Sequence, residues 1–223
     1  EPEPFQYEEA GYAYINMALW LDLYRDMCGM RLATSRDNLI WHWAGDRQPF
    51  IPHGPPGSWD AKMIHPPFMP ALVKDDEILI YYSANGTAGM AEGKISQIPR
   101  RRDVGLAKLR LDGFISLEAG VSWGQVTTWP IVYTGSALEL NVNSKRLLPP
   151  ELQDYGVRVE ILDHYGNAHE GYRFEDCDPI RVDDVRHRVT WKGSDDVSKL
   201  AGEPVRLRFH MGFASLYAFQ FKE

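Results

Sequence analysis

The chain reads as all-β: the last blades of a β-propeller, about two of them over residues 1–120, followed by an antiparallel β-sandwich over residues 121–223. Three observations predict this. A weak internal repeat places Leu32-Ala33-Thr34-Ser35-Arg36-Asp37-Asn38 and, 74 positions on, Leu106-Ala107-Lys108-Leu109-Arg110-Leu111-Asp112-Gly113. Repeated antiparallel strands joined by an Asp-Asn or Asp-Gly turn are the sequence mark of a propeller blade. Helical periodicity is nearly absent from the first half, where short β-runs alternate with Pro- and Gly-rich loops. Beyond Gly120 about six segments alternate apolar and polar residues, which puts one face in a core and the other in water.

In chain order, strand-like runs lie upstream of each repeat copy, at residues 12–19 and 77–84. Asp37-Asn38 sits between two strands and tolerates the positive φ of a tight hairpin, so Asp37 is read as a turn former rather than a catalytic acid. The loop from Gly45 to Asp60 holds four prolines and three glycines, cannot continue a sheet ladder and must cross the surface. Residues 62–65 then form a short inner strand stopped by Pro66-Pro67, and residues 85–103 form a second long loop. In the second half the strands are residues 125–129, 137–142, 157–162, 187–191, 205–209 and 215–221. Turn signals separate them at Tyr165-Gly166-Asn167 and Lys192-Gly193-Ser194, and residues 195–202 supply a linking helical turn. Strands at this spacing point to a β-sandwich.

With 223 residues, 44% of them hydrophobic, the chain can bury a full core. A net charge of −7 argues against nucleic acid, which needs a dense positive field; Arg100-Arg101-Arg102 is read as a solvated loop. Two cysteines, Cys28 and Cys177, exclude a disulfide scaffold. No apolar run reaches the ~20 residues that cross a bilayer, so a soluble protein with no membrane partner is expected, its compartment open between secreted or periplasmic and others. Seven Trp and 11 Tyr suit β-structure and also stacking on flat sugar faces.

The stretch Ser35-Arg36-Asp37-Asn38-Leu39-Ile40-Trp41 with Asp46-Arg47-Gln48-Pro49-Phe50-Ile51-Pro52, Gly57-Ser58-Trp59-Asp60 and Ile80-Tyr81-Tyr82 resembles the last blades of five-bladed propellers in glycoside hydrolases of the family 43 and family 32 type. The tail, with Val157-Arg158-Val159-Glu160-Ile161-Leu162-Asp163, Glu175-Asp176-Cys177-Asp178-Pro179-Ile180 and Leu216-Tyr217-Ala218-Phe219-Gln220-Phe221, resembles the β-sandwich appended to them. The resemblance implies a C-terminal part of a carbohydrate-active protein that acts on oligo- or polysaccharides. It implies that glycosidic bonds are cleaved by paired carboxyl groups about 5 to 10 Å apart, supplied mainly by upstream blades. No cofactor is implied, although a central structural ion such as calcium is compatible with the propeller axis. A non-catalytic carbohydrate-binding or structural protein is the alternative.

The substrate-binding candidates are Asp60 and His65, flanking the inner strand; His53 and Trp59, on the Pro/Gly-rich loop; and Glu3, Glu8 and Glu9, beside the inner strand of the preceding blade. Structural readings stand beside each: loop packing for His53 and Trp59, a structural hydrogen bond for His65, solvation for the glutamates. His164 and His169 lack a further ligand for zinc, and Cys177 among acids is no activated thiolate. The cluster Glu175, Asp176, Asp178, Asp183, Asp184 is read as a solvated sheet edge in preference to a calcium site.

Overall fold

A computed structural model describes residues 4–8, 13–67, 69–86, 103–146 and 155–223. The protein is all-β, 52% strand against 4% helix, in several sheets of which none closes into a barrel. Two compact units divide the chain, Glu1–Ile115 and Ser116–Glu223.

In the first unit β1 (Phe5–Tyr7), β2 (Ala13–Asp22), β3 (Met27–Ser35) and β4 (His42–Trp43) pair consecutively, each antiparallel to the next. A second group follows, in which β5 (Met63–His65) and β6 (Leu72–Lys74) both pair antiparallel with β7 (Glu77–Asn85), and β7 pairs with β8 (Asp103–Arg110). A single parallel bridge, Cys28 to Met63, joins the two groups into one eight-stranded sheet. The repeat copies therefore fall on β3 and β8 and their upstream runs on β2 and β7. Alternate residues supply the core: Ile15 and Met17 from β2, Met30 and Leu32 from β3, Ile78, Ile80, Tyr82 and Ala84 from β7. Each such large side chain contributes about 1.5–3 kcal/mol by leaving water.

The connections follow from Asp and Asn, which tolerate the left-handed region better than other non-glycine residues. Asp26, Asn38, Asp75 and Asp112 all have positive φ. The expected tight Asp37-Asn38 hairpin is wider than two residues, running over 36–41. Its cause is the Asp37 carboxylate, which accepts the amides of Leu39 and Ile40 at 2.8 Å each and the Ser35 hydroxyl at 3.0 Å, holding the chain in an open turn. These bonds keep the Asp37 carboxyl below the usual carboxylate range, the Ile40 amide most of all.

The second unit holds β9 (Leu117–Ala119), β10 (Gly124–Thr127), β11 (Ala137–Asn143), β12 (Gly156–Asp163), β13 (Asp183–Arg188), β14 (Val205–Gly212) and β15 (Ala214–Lys222). They form two antiparallel sheets, β10-β14-β12 and β13-β11-β15-β9. One core draws on both: Leu138, Leu140 and Val142 from β11, Val157, Val159 and Ile161 from β12, Val205, Leu207 and Phe209 from β14. The period-two alternation of the sequence is this division between core-facing and outward residues.

One strand is displaced from its expected place. Residues 187–191 were the expected segment, whereas β13 spans Asp183–Arg188. Beyond it the Val189 amide bonds the Leu138 carbonyl at 2.9 Å, and the Trp191 indole is drawn into the core to donate to the Val159 carbonyl at 2.9 Å. Lys192 and Gly193, both at positive φ, then reverse the chain. Residues 195–202 hold a single 3-10 turn, Ser198–Leu200, in the expected linking role.

Candidate functional site

The first gathering of candidate residues lies where β3, β5 and β7 meet. The Pro/Gly-rich loop is tied to β3 by the Phe50 amide on the Met30 carbonyl at 2.7 Å, then turns back at Pro55, whose carbonyl accepts the Ser58 amide at 3.0 Å. It returns beside β3, where the Cys28 amide bonds the Lys62 carbonyl at 3.1 Å. Two glycines make the fold-back feasible. A Cβ at Gly54 would lie 2.0 Å from Asp60 Oδ1, and one at Gly105 would lie 2.6 Å from the Trp59 ring.

Four of the candidates are gathered here. His53 Nε2 donates to the Cys28 carbonyl at 2.8 Å, its ring edge-on to Trp20 at 5.9 Å. His65 ends β5 with Nε2 4.0 Å from the Cys28 thiol. Trp59 stacks on Tyr82 at 5.7 Å and keeps 39% of its surface exposed. Asp60 accepts the Ser58 hydroxyl at 2.7 Å, and its backbone carbonyl receives the Gly54 amide at 3.4 Å. Burial first, and the Asp60 charge second, raise the Tyr82 phenol above its ordinary value. Glu8 is exposed beside β1, and Glu3 and Glu9 lie outside the described residues, as do Arg100, Arg101 and Arg102.

An indole with one face packed and part of its surface open can take the apolar face of a sugar ring, and a neighbouring carboxylate accepts hydroxyl hydrogen bonds. Among the described residues no three His, Cys, Asp or Glu side chains come together to hold a metal ion.

A second gathering, on the β10-β14-β12 sheet, escaped the sequence reading. Glu160, buried on the outward side of β12, accepts His210 Nε2 at 2.7 Å, Arg208 Nη1 at 3.3 Å and the Phe174 amide at 3.3 Å. Gln125 bonds the other nitrogen of His210 at 3.0 Å. Burial pushes the Glu160 carboxyl up, but the His210 hydrogen bond, the Phe174 amide and the cationic neighbours outweigh it and leave the group below its usual range. Arg158 lies over Phe174 at 4.9 Å, Phe174 meets His210 edge-on at 4.7 Å, and Trp123 stacks on Tyr155 at 5.3 Å. The signal was present in Val157-Arg158-Val159-Glu160 and Arg206-Leu207-Arg208-Phe209-His210, where period two puts every charge on one face.

The acidic cluster is not one solvated edge. Asp176 is buried and pairs with Lys192, while Asp178 accepts the Thr190 hydroxyl at 2.6 Å and the Gly193 amide at 2.8 Å. Separate partners, each lowering its own carboxyl, fix the 173–178 loop to the turn at Lys192. Cys177 is inert for a reason stronger than its acidic neighbours: burial, and only lastly the Asp178 charge, drives its thiol up to about 11.

No protein-family profile matches the chain, and no curated protein matches it. Among the described residues no helix is long and apolar enough to cross a membrane.

Proposed function

We propose that the chain is the C-terminal part of a carbohydrate-active protein, with residues 1–120 as the last blades of a glycoside hydrolase-like five-bladed propeller and residues 121–223 as a β-sandwich. Support comes from two successive antiparallel groups, β1-β2-β3-β4 and β5/β6-β7-β8, that carry the 74-residue repeat, and from two sheets sharing one core in the second unit. The observation that carries the function is the half-open Trp59 ring, fixed on Tyr82 beside the Asp60 carboxylate.

In this reading Trp59 stacks on a pyranose face, Asp60 accepts its hydroxyls, and His53 and His65 hold the β3–β5 junction through Cys28. Hydrolysis by the parent requires a proton-donating and an ionised carboxyl group, supplied by strands outside these residues. In this reading the 223 residues by themselves bind a saccharide and do not cleave it. Incubation of the chain with a panel of aryl glycosides is expected to release no phenolate; clear turnover by these residues would overturn the assignment of the chemistry.

A further inference from the structure

The outward face of the β10-β14-β12 sheet runs against the charge of the chain. The register sets Gln125, His210 and Arg158 in one row, Thr127, Arg208 and Glu160 in the next, and Arg206 beyond them opposite Leu162. Three guanidinium groups thus stand on this face around the Glu160 carboxylate, with Asp178 near enough to Arg158 to feel its charge, on a chain of net charge −7.

Each guanidinium is anchored through part of its fork. Arg158 gives Nη1 to the Phe174 and Cys177 carbonyls, both at 3.3 Å. Arg206 gives Nε to the His164 carbonyl at 3.2 Å and Nη1 to the Thr128 carbonyl at 3.4 Å. Arg208 gives Nε to Thr127 Oγ1 at 3.4 Å and Nη1 to Glu160 at 3.3 Å. In all three, Nη2 bonds nothing among the described residues. A planar fork held on one side presents its remaining donors at little further entropic cost, the geometry that suits a carboxylate. At the start of the same edge strand Trp123 is 43% exposed, its ring locked on Tyr155 at an interplanar angle of 14° and edge-on to Phe174.

We infer that this face binds an acidic oligosaccharide, Trp123 taking the apolar face of one sugar ring and the arginine Nη2 groups taking the carboxylates of the rings that follow. From Trp123 to the Thr127–Arg208 row the strand advances about 13 Å, so the ligand is a chain of sugars and not a single ring. The charge of the face selects acidic over neutral glycans, and screening makes the affinity fall with salt. This surface lies on the second unit and shares no residue with the Trp59 site.

The test follows the indole N–H signals of the intact chain by NMR during titration with tetragalacturonate, with cellotetraose as the neutral control and inorganic sulfate as the bare anion. Trp123 is assigned by loss of its signal in Trp123→Phe. The expected result is a saturable shift of that signal with tetragalacturonate, at least tenfold weaker with cellotetraose and with sulfate. Raising the salt concentration should weaken the response. Arg206→Gln, which leaves the aromatic stack untouched, is expected to weaken binding at least threefold and flatten its salt dependence. A shift of equal affinity with cellotetraose, sulfate binding as tightly as the tetramer, an unmoved Trp123 signal, or an Arg206→Gln variant that binds like the parent would each overturn the inference. The Trp59 signal reports the other site in the same spectra, so the failure of either reading is seen separately.

Discussion

The two gatherings of functional side chains are built by different means. In the first unit a loop brings His53, Trp59 and Asp60 to the end of β5, and the missing side chains of Gly54 and Gly105 leave room for it. In the second, Arg158, Glu160, Arg206, Arg208 and His210 stand on paired strands, and the ladder itself sets their rows. A loop-built site depends on a few close backbone approaches, whereas a strand-built one inherits the rigidity of its sheet. Substitutions aimed at each should therefore fail in different ways.

The largest expected effect is in the strand-built unit. Phe209→Ala removes a fully buried ring from the core that backs the arginine rows and should cost about 3–5 kcal/mol, read by urea unfolding. The two buried cysteines divide the response between the units, Cys28 in the first and Cys177 in the second. Thiol labelling under native conditions should accelerate at Cys177 and stay unchanged at Cys28; equal acceleration at both would show that the units open together.

Gly54→Ala comes next, and it should act through geometry. The added methyl meets the Asp60 carboxylate and the Ser58 hydroxyl, and relieving that overlap should cost about 1–3 kcal/mol. Saccharide binding at Trp59 should disappear while the Trp123 response is kept. Retention of both would mean that the loop does not shape the first site.

Glu160→Gln tests whether the strand-built face depends on its buried charge. Removing the carboxylate leaves Arg208 and His210 without their anionic partner and should destabilise by about 2 kcal/mol at neutral pH. Because the folded Glu160 carboxyl lies below its ordinary value, its contribution is complete above the ordinary glutamate range and is lost as pH falls through the lower folded value. The stability gap between parent and variant should close in acid as the Glu160 carboxyl is protonated; a gap that widens in acid would contradict the pairing. The smallest effect belongs to Asp37, an exposed turn. Its carboxyl resonance should titrate below the usual aspartate range, and Asp37→Ala should loosen residues 36–41 without disturbing either gathering.

How much of this was legible in the sequence follows the same division. The alternation in 157–162 and 205–209 located β12 and β14 because each outward charge is separated from the next by a core residue. The repeat located β2, β3, β7 and β8. What was not legible depended on long-range capture: Trp191 left its strand because the Val159 carbonyl and the core claimed the indole, and Asp176 became buried because Lys192 came to meet it. Of the site residues, Trp59 and Asp60 were singled out by type and position. Their juxtaposition with Tyr82 arises only when the loop folds back over β7. The rows of Arg158, Arg208 and His210 were written in period two, but their pairing partner across the ladder is fixed by register, which the local pattern does not state.

The most direct test of the carbohydrate reading is calorimetric titration of the intact chain with neutral oligosaccharides, alongside Trp59→Ala and Asp60→Asn. The expected result is saturable binding of at least one such saccharide by the parent, weakened at least tenfold by Trp59→Ala and several-fold by Asp60→Asn, with the unfolding temperature of Asp60→Asn unchanged. Parent and variants that bind the same saccharide equally, or a parent that binds none of them, would contradict it.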